Sequence, residues 1–229
     1  MSVAERLAAV QSQVSAACHA AGRDPADVGL IAVSKHVPVA AIAEAAASGH
    51  CDFGESYAQE LRDKAALHPT LRWHFIGRLQ RNKAKYVAPV AARIHALETV
   101  AQAEAMLTRA PGPLHALVSV NLGGQESKGG VTAQEALDRC AVLHALPGLA
   151  VVGLMTMPPP SEDPEDAAPY FEELADLAAR GRARGLPLDE LSMGMSADFA
   201  VAIRFGATWV RVGTAIFGPR IRTRSRPPP

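Results

Sequence analysis

Lys35 is an unusual residue to find where it stands. In Ser34-Lys35-His36 it closes an apolar run that begins at Leu30, and Pro38 soon turns the chain. A lysine at the mouth of a buried strand loses its charge readily when desolvated. Its neutral amine can then condense with an aldehyde or ketone to give a Schiff base. The alternative is a stem packed on a rim with its head in water. A second pair of segments lies far along the chain. Met193-Gly194-Met195-Ser196 is followed by Asp198, and Gly213-Thr214 by Ala215-Ile216-Phe217-Gly218. Gly213 permits close backbone approach, Ser196 and Thr214 carry hydroxyls, and helix-opening N–H groups attract anions, so together they suit a phosphate. Without a ligand, Ser196 or Asp198 simply caps a helix and Gly213 turns the chain. Arg211 precedes Gly213 by two residues on the same apolar run. It is either half of an ion pair with Glu55 or another rim acid, or a permanent donor toward a ligand.

These groups can cooperate only if the fold gathers them. Short runs rich in β-branched residues predict strands over Gly29–Ser34, Asp52–Gly54, Arg72–Gly77, Arg93–Leu97, Ala116–Asn121, Ala150–Met155, Glu190–Met193 and Trp209–Val212. Between them, helical periodicity covers Val39–Ser48, Tyr57–Leu67, Gln80–Ala88, Ala101–Thr108, Ala133–Ala145, Pro164–Arg184 and Ala197–Phe205. A further helix runs from about Val3 to Ala21 and ends at Gly22. That alternation is the pattern of a single α/β domain, a (β/α)8 TIM-type barrel with an extra N-terminal helix.

In such a barrel the chemistry sits at the C-terminal strand ends, and the loops after strands seven and eight commonly hold a phosphate. Lys35, Ser196, Arg211, Gly213 and Thr214 all fall there. So do His74, Asn121, Ser192 and four of the six methionines, Met155, Met157, Met193 and Met195. The methionines could equally fill the top barrel layer, and His74 could be a satisfied core histidine. A lysine and a phosphate pocket on one rim suit a ligand carrying an aldehyde and a phosphate, pyridoxal 5′-phosphate. With Arg211 against the pyridine nitrogen, that nitrogen would stay unprotonated and the ring would be a weak electron sink.

The rest of the chain narrows the class. Its 229 residues, 48% hydrophobic, suit one barrel domain over residues 1–221, with 222–229 expected as a disordered Pro-rich tail. Lys plus Arg and Asp plus Glu number 23 each, so no bulk charge invites nucleic acid or an anionic membrane. Cys18, Cys51 and Cys140 are far apart, without metal-ligand spacing, as in a reducing cytoplasm. No segment has the length of a membrane span or the character of a signal peptide. The stretch "GGQESKGG" (123–130) fails as a P-loop, because no G-K-[ST] follows its early glycines; it reads as a loop whose Lys128 could meet an anion. Arg78, Arg81, Lys83 and Lys85 read as a solvated helix face.

The segments "AVSKHVP", "FGESYAQE", "WHFIGRLQRNKAKYV", "VNLGGQESKGG", "GLMTMPPP" and "LSMGMSADFAVAIRFGATWVRVGTAIFG" occur in this order from about residue 28 to 218. Together they resemble the pyridoxal phosphate homeostasis protein family, single-domain barrels similar to the N-terminal domain of bacterial alanine racemases. The resemblance implies a Schiff base between Lys35 and the cofactor, phosphate contacts from Ser196, Gly213 and Thr214, and a ring-nitrogen contact from Arg211. It adds Ser192, Met193, Met195, Asn121 and His74 as lining residues. It implies a non-catalytic, cytoplasmic, monomeric protein of vitamin B6 homeostasis, with pyridoxal phosphate-requiring apo-enzymes as the candidate recipients. One departure is Ser56, where the family pattern F-G-E-N-Y has Asn. A racemase-like enzyme is the alternative. It needs two positioned bases, the second in alanine racemases being a tyrosine of a β-rich domain, and here only Tyr57 and Tyr86 lie near strand ends. A cofactor-free aldolase using Lys35 on a sugar phosphate is a third reading.

Overall fold

Short strands buried on both faces need a neighbour on each side, and a closed ring jacketed by helices supplies both. The computed structural model describes residues 1–124 and 129–219. Its parallel strands are β1 (Gly29–Val33), β2 (Asp52–Glu55), β3 (Arg72–Phe75), β4 (Ala91–Leu97), β5 (Leu114–Ser119), β6 (Leu149–Met155), β7 (Glu190–Ser192) and β8 (Trp209–Val212). They close in sequence order, and β8 returns to β1 with Ile31 beside Arg211. That seam brings the two ends of the sequence pattern, Lys35 and Arg211, to neighbouring strands.

The helices are α1 (Val3–Ala20), α2 (Val39–Ala47), α3 (Ala58–Leu67), α4 (Ala84–Val87), α5 (Val100–Leu107), α6 (Ala133–His144), α7 (Ala168–Ala183), α8 (Phe199–Arg204) and α9 (Thr214–Phe217). Helix α1 opens with a capping box between Ser2 and Glu5 and buries Leu7, Val10, Val14 and Cys18. It packs across α2, α8 and α9 and so covers the β8–β1 seam from outside. Full burial of a Val or Leu is worth on the order of 1.5–3 kcal/mol, which makes this stripe a main fastening of the seam.

The boundaries differ from the sequence reading for local reasons. The stretch 80–88 is a 3₁₀ turn, Arg81–Lys83, leading into the short α4, and Pro89 ends it. A second 3₁₀ turn, Pro164–Ala167, is capped by the Asp163 side chain before α7 begins. Helix α8 starts two residues after Ala197, because the Asp198 carboxylate accepts from the Met195 N–H at 2.6 Å. Strand β5 stops at Ser119, since the Asn121 N–H turns to the Val131 carbonyl. Lys128 and the tail 222–229 lie outside the described residues. Among the described residues, no helix is long and apolar enough to cross a membrane.

Candidate functional site

Lys35 follows β1 in a tight turn closed by the Val37 N–H on the Ser34 carbonyl. A charged cluster on the outer side of β1 and β2 holds this turn. Buried Lys64, from α3, donates at 2.8 Å each to the Ser34 carbonyl, Glu55 Oε1 and Glu60 Oε2. Ser34 Oγ donates to the same Glu55 oxygen at 2.6 Å, and Glu55 Oε2 is buried with no hydrogen-bond partner. Burial raises the Glu55 pKa against the pull of Lys64 and Ser34. Glu60 also accepts from the His36 N–H at 2.9 Å and pairs with its ring. His36 sits at φ 62°, in the left-handed region, at a cost of about 1–2 kcal/mol. Glu60 and the Tyr57 ring, 4.9 Å from the imidazole, hold it there. The residue beside the lysine is strained and pinned, so the lysine backbone is fixed in direction.

The two predicted phosphate loops converge. Ser196 Oγ accepts from Thr214 Oγ1 at 3.4 Å, so the β7–α8 and β8–α9 loops meet hydroxyl to hydroxyl. Gly194, at φ 90°, lets its loop lie against α8: a Cβ there would sit 2.6 Å from the Ala202 methyl. Lys35, Gly213 and Thr214 line one narrow crevice together with Val33, Val37 and Phe217. The close approach at Gly213 is made first to the protein itself, since a Cβ would lie 3.2 Å from the Val33 carbonyl oxygen. Opening N–H groups of α9 have no intrahelical acceptor, which leaves donors beside the two hydroxyls.

Arg211 is buried inside the barrel and makes no pair with Glu55, whose cation is Lys64. Its Nη1 donates to Ser192 Oγ at 2.6 Å and its Nη2 to the Thr156 carbonyl at 2.9 Å. Burial lowers its pKa to about 10, with Asp198 opposing, so it is protonated at neutral pH. Ser192 therefore touches Arg211 from within the core. His74 lies deeper still, with both ring nitrogens engaged, one to Asp52 at 3.0 Å and one to His95 at 2.9 Å. Strand alternation turns Met193 away from Ser192 into the core shared with the helices, where it is fully buried. Met195 and Asn121 are half-buried in loops at the mouth. Ser56 lies on the same rim, in a cleft of about 420 Å³ that it shares with Tyr57, Arg78 and Lys83.

Sequence reasoning missed the supports. Lys64 sits on the buried face of α3 with Ala58, Leu61 and Ala65, and His95 interrupts the apolar run Ile94–Leu97; both were visible as polar residues at core-facing positions.

Comparisons with known proteins agree in one direction. Residues 6–220 match the family model described as alanine racemase, N-terminal domain. The chain is 41% identical over 223 residues to the pyridoxal phosphate homeostasis protein of Pseudomonas aeruginosa, covering 95% of this chain and 96% of that one. It is 42% identical over 226 residues to the protein of the same name from Aquifex aeolicus, covering 96% and 99%. PipY of Synechococcus elongatus, solved with pyridoxal phosphate bound, superposes with a TM-score of 0.83 at 36% identity, covering 94% of this chain and 100% of that one.

Proposed function

We propose, for a chain that belongs to the pyridoxal phosphate homeostasis protein family within the alanine racemase N-terminal domain class, that it binds pyridoxal 5′-phosphate and holds it without turning over a substrate. The observation that carries this reading is the convergence on one crevice of a pinned lysine, Lys35, with Gly213 and Thr214, themselves joined to Ser196. The donor set fits the group: hydroxyls and backbone N–H groups for a phosphate, an amine for an aldehyde, and a buried guanidinium for a ring nitrogen. PipY, solved with the cofactor bound, supports the same reading through its likeness across the whole barrel.

Lys35 would hold the aldehyde carbon covalently, and Ser196, Thr214 and the Gly213 backbone would hold the phosphate. Arg211 would donate to the ring nitrogen and keep it unprotonated. Met195 and Asn121 would border the ring from the mouth. Bound there, the cofactor would supply an electrophilic carbon and an electron-withdrawing ring. An arginine partner leaves that ring a poor sink for a carbanion, which favours holding over turnover. The protein would act in the cytoplasm as a monomer, storing the cofactor or passing it to apo-enzymes that require it. Three unpaired cysteines agree with that compartment.

The test is uptake of the cofactor by purified protein. A yellow band, and a borohydride-fixed mass increase that maps to Lys35, are expected. A protein that stays colourless with added pyridoxal phosphate overturns the reading and returns the site to an aldolase-like use of Lys35. Robust racemisation or transamination of any amino acid in a panel overturns the non-catalytic part.

A further inference from the structure

Beneath Arg211 the barrel interior holds an unbroken file of hydrogen bonds. Arg211 Nη1 meets Ser192 Oγ at 2.6 Å, and Ser192 Oγ meets His95 Nδ1 at 2.8 Å. His95 Nε2 meets His74 Nδ1 at 2.9 Å, and His74 Nε2 meets Asp52 Oδ1 at 3.0 Å. Asp52 ends the file at the opposite rim, gripped by Arg72 through two N–H groups. The three middle side chains are buried.

With both imidazoles neutral, the direction of every bond follows from the carboxylate end. An ionised carboxylate only accepts, so His74 must carry its proton on Nε2 and present a lone pair at Nδ1. His95 must then carry its proton on Nε2, toward His74, and accept at Nδ1. That acceptor takes the Ser192 hydroxyl proton, and the serine lone pairs face Arg211. A guanidinium only donates, so Arg211 fits the accepting serine that this polarity leaves at its end. Both imidazoles are neutral in this arrangement, and burial depresses the pKa of each, that of His95 well below the usual histidine value. Trp209 closes the file from one side, its ring 4.9 Å from His74.

We propose that Ser192, His95, His74 and Asp52 are positioning residues for the cofactor ring: a one-directional hydrogen-bond file that fixes the Arg211 guanidinium as a donor aimed at the ring nitrogen. This rests on the pyridoxal phosphate reading of the site. The Thr156 carbonyl holds the second arm of the guanidinium, so rotation about its stem is blocked from two directions. An apolar floor would leave the buried cation without those acceptors. A carboxylate floor would neutralise it directly and weaken its pull on a ring nitrogen. A serine backed by two neutral imidazoles supplies acceptors without a full counter-charge at the site.

The experiment has two readouts. Two-bond ¹H–¹⁵N NMR of cofactor-free protein reads the tautomers, and His74 and His95 should both carry the proton on Nε2. Either ring protonated on Nδ1 alone overturns the direction of the file. Pyridoxal phosphate is then titrated by absorbance into wild type, Ser192→Ala, His95→Leu and His95→Gln, with folding checked by circular dichroism. Ser192→Ala and His95→Leu should each weaken binding about tenfold and displace the absorption band, one charge-assisted bond's worth of orientation being lost. His95→Gln keeps a donor and an acceptor and should return the affinity to within about threefold of wild type. Folded variants with the wild-type band and affinity would make the file mere core packing and overturn the proposal. A wild type that takes up no cofactor overturns the function reading and the file's role toward the ring, while the tautomers still report whether the file itself exists.

Discussion

Two buried polar regions back the two cations of this site, and they are built on opposite plans. Behind Lys35 stands a charged cluster, Glu55 and Glu60 around Lys64, wedged between the barrel and α3. Behind Arg211 stands a neutral file of Ser192, His95 and His74, with its only carboxylate at the far rim. The turn that carries Lys35 is held through its backbone, by the Lys64 ammonium on the Ser34 carbonyl and Glu60 on the His36 N–H. The Arg211 guanidinium is held through its head, by the Ser192 hydroxyl and the Thr156 carbonyl. The difference is one of plan: an ion cluster orients a backbone turn, and a file of neutral groups orients a side-chain head.

Breaking the charged plan should cost the most. Lys64→Ala strands Glu55 in the core, and a loss of about 3–5 kcal/mol in urea unfolding is expected. Lys64→Met combined with Glu55→Leu should recover most of that stability. It should leave cofactor uptake slower or weaker, because the Ser34 carbonyl loses its tether; stability and uptake recovering together would unite the two roles.

The pH dependence sharpens the contrast, because the two regions respond with opposite sign. His74 and His95 have folded pKa values below 6.5, so the unfolded chain takes up protons first as the pH falls. Their contribution is present above pH 6.5 and is lost below it, by up to about 1.4 kcal/mol per pH unit for each ring. The groups facing them are Asp52, Arg72, Arg93, Glu190 and Arg211. Glu55 runs the other way. Its folded pKa is raised above 4.5, so its contribution is present below that value and is lost as the pH rises through the folded pKa. Urea melts between pH 5 and 7.5 should therefore slope upward with pH in wild type and flatten in His95→Gln. A steeper slope in the variant would reverse the assignment of the histidines as neutral.

The smallest expected effect is at Glu60, which is partly exposed. Glu60→Gln retains an acceptor for the His36 N–H and should cost roughly 1 kcal/mol or less. Thermal unfolding checks it, and a loss several times larger would mean that the strained His36 turn depends on that charge.

The barrel was legible because its rhythm is local: eight β-branched runs and intervening helical periods need no knowledge of what packs where. Lys35, Ser196, Gly213 and Thr214 were legible because strand ends in a barrel share one face, which makes their meeting a matter of topology. The pairings among the supports were not legible for a complementary reason. Lys64 and Glu55, or His95 and Ser192, are partners only through the third dimension, and a period-2 strand gives the face of a residue but not its depth. His74 illustrates the limit. Its strand and its inward face follow from the pattern, while its place three bonds below Arg211, by way of His95 and Ser192, comes from the register of β3, β4 and β7. Met193 shows the part played by parity, since its neighbour Ser192 takes the inward side and Met193 joins the core shared with the helices.

The contact between Gly213 and Val33 has a metric consequence. A side-chain carbon at 213 would stand 3.2 Å from the Val33 carbonyl, so the β8–α9 loop and the end of β1 lie too close to admit one freely. Lys35 lies two residues beyond Val33, and Thr214 one beyond Gly213. The gap between amine and hydroxyl is thus gauged by a backbone stop, like the jaws of a caliper closed to a fixed reading. On the proposed function, a ligand held at both ends would be selected by the span between its aldehyde and its phosphate, and even one methyl group at Gly213 would press on the stop.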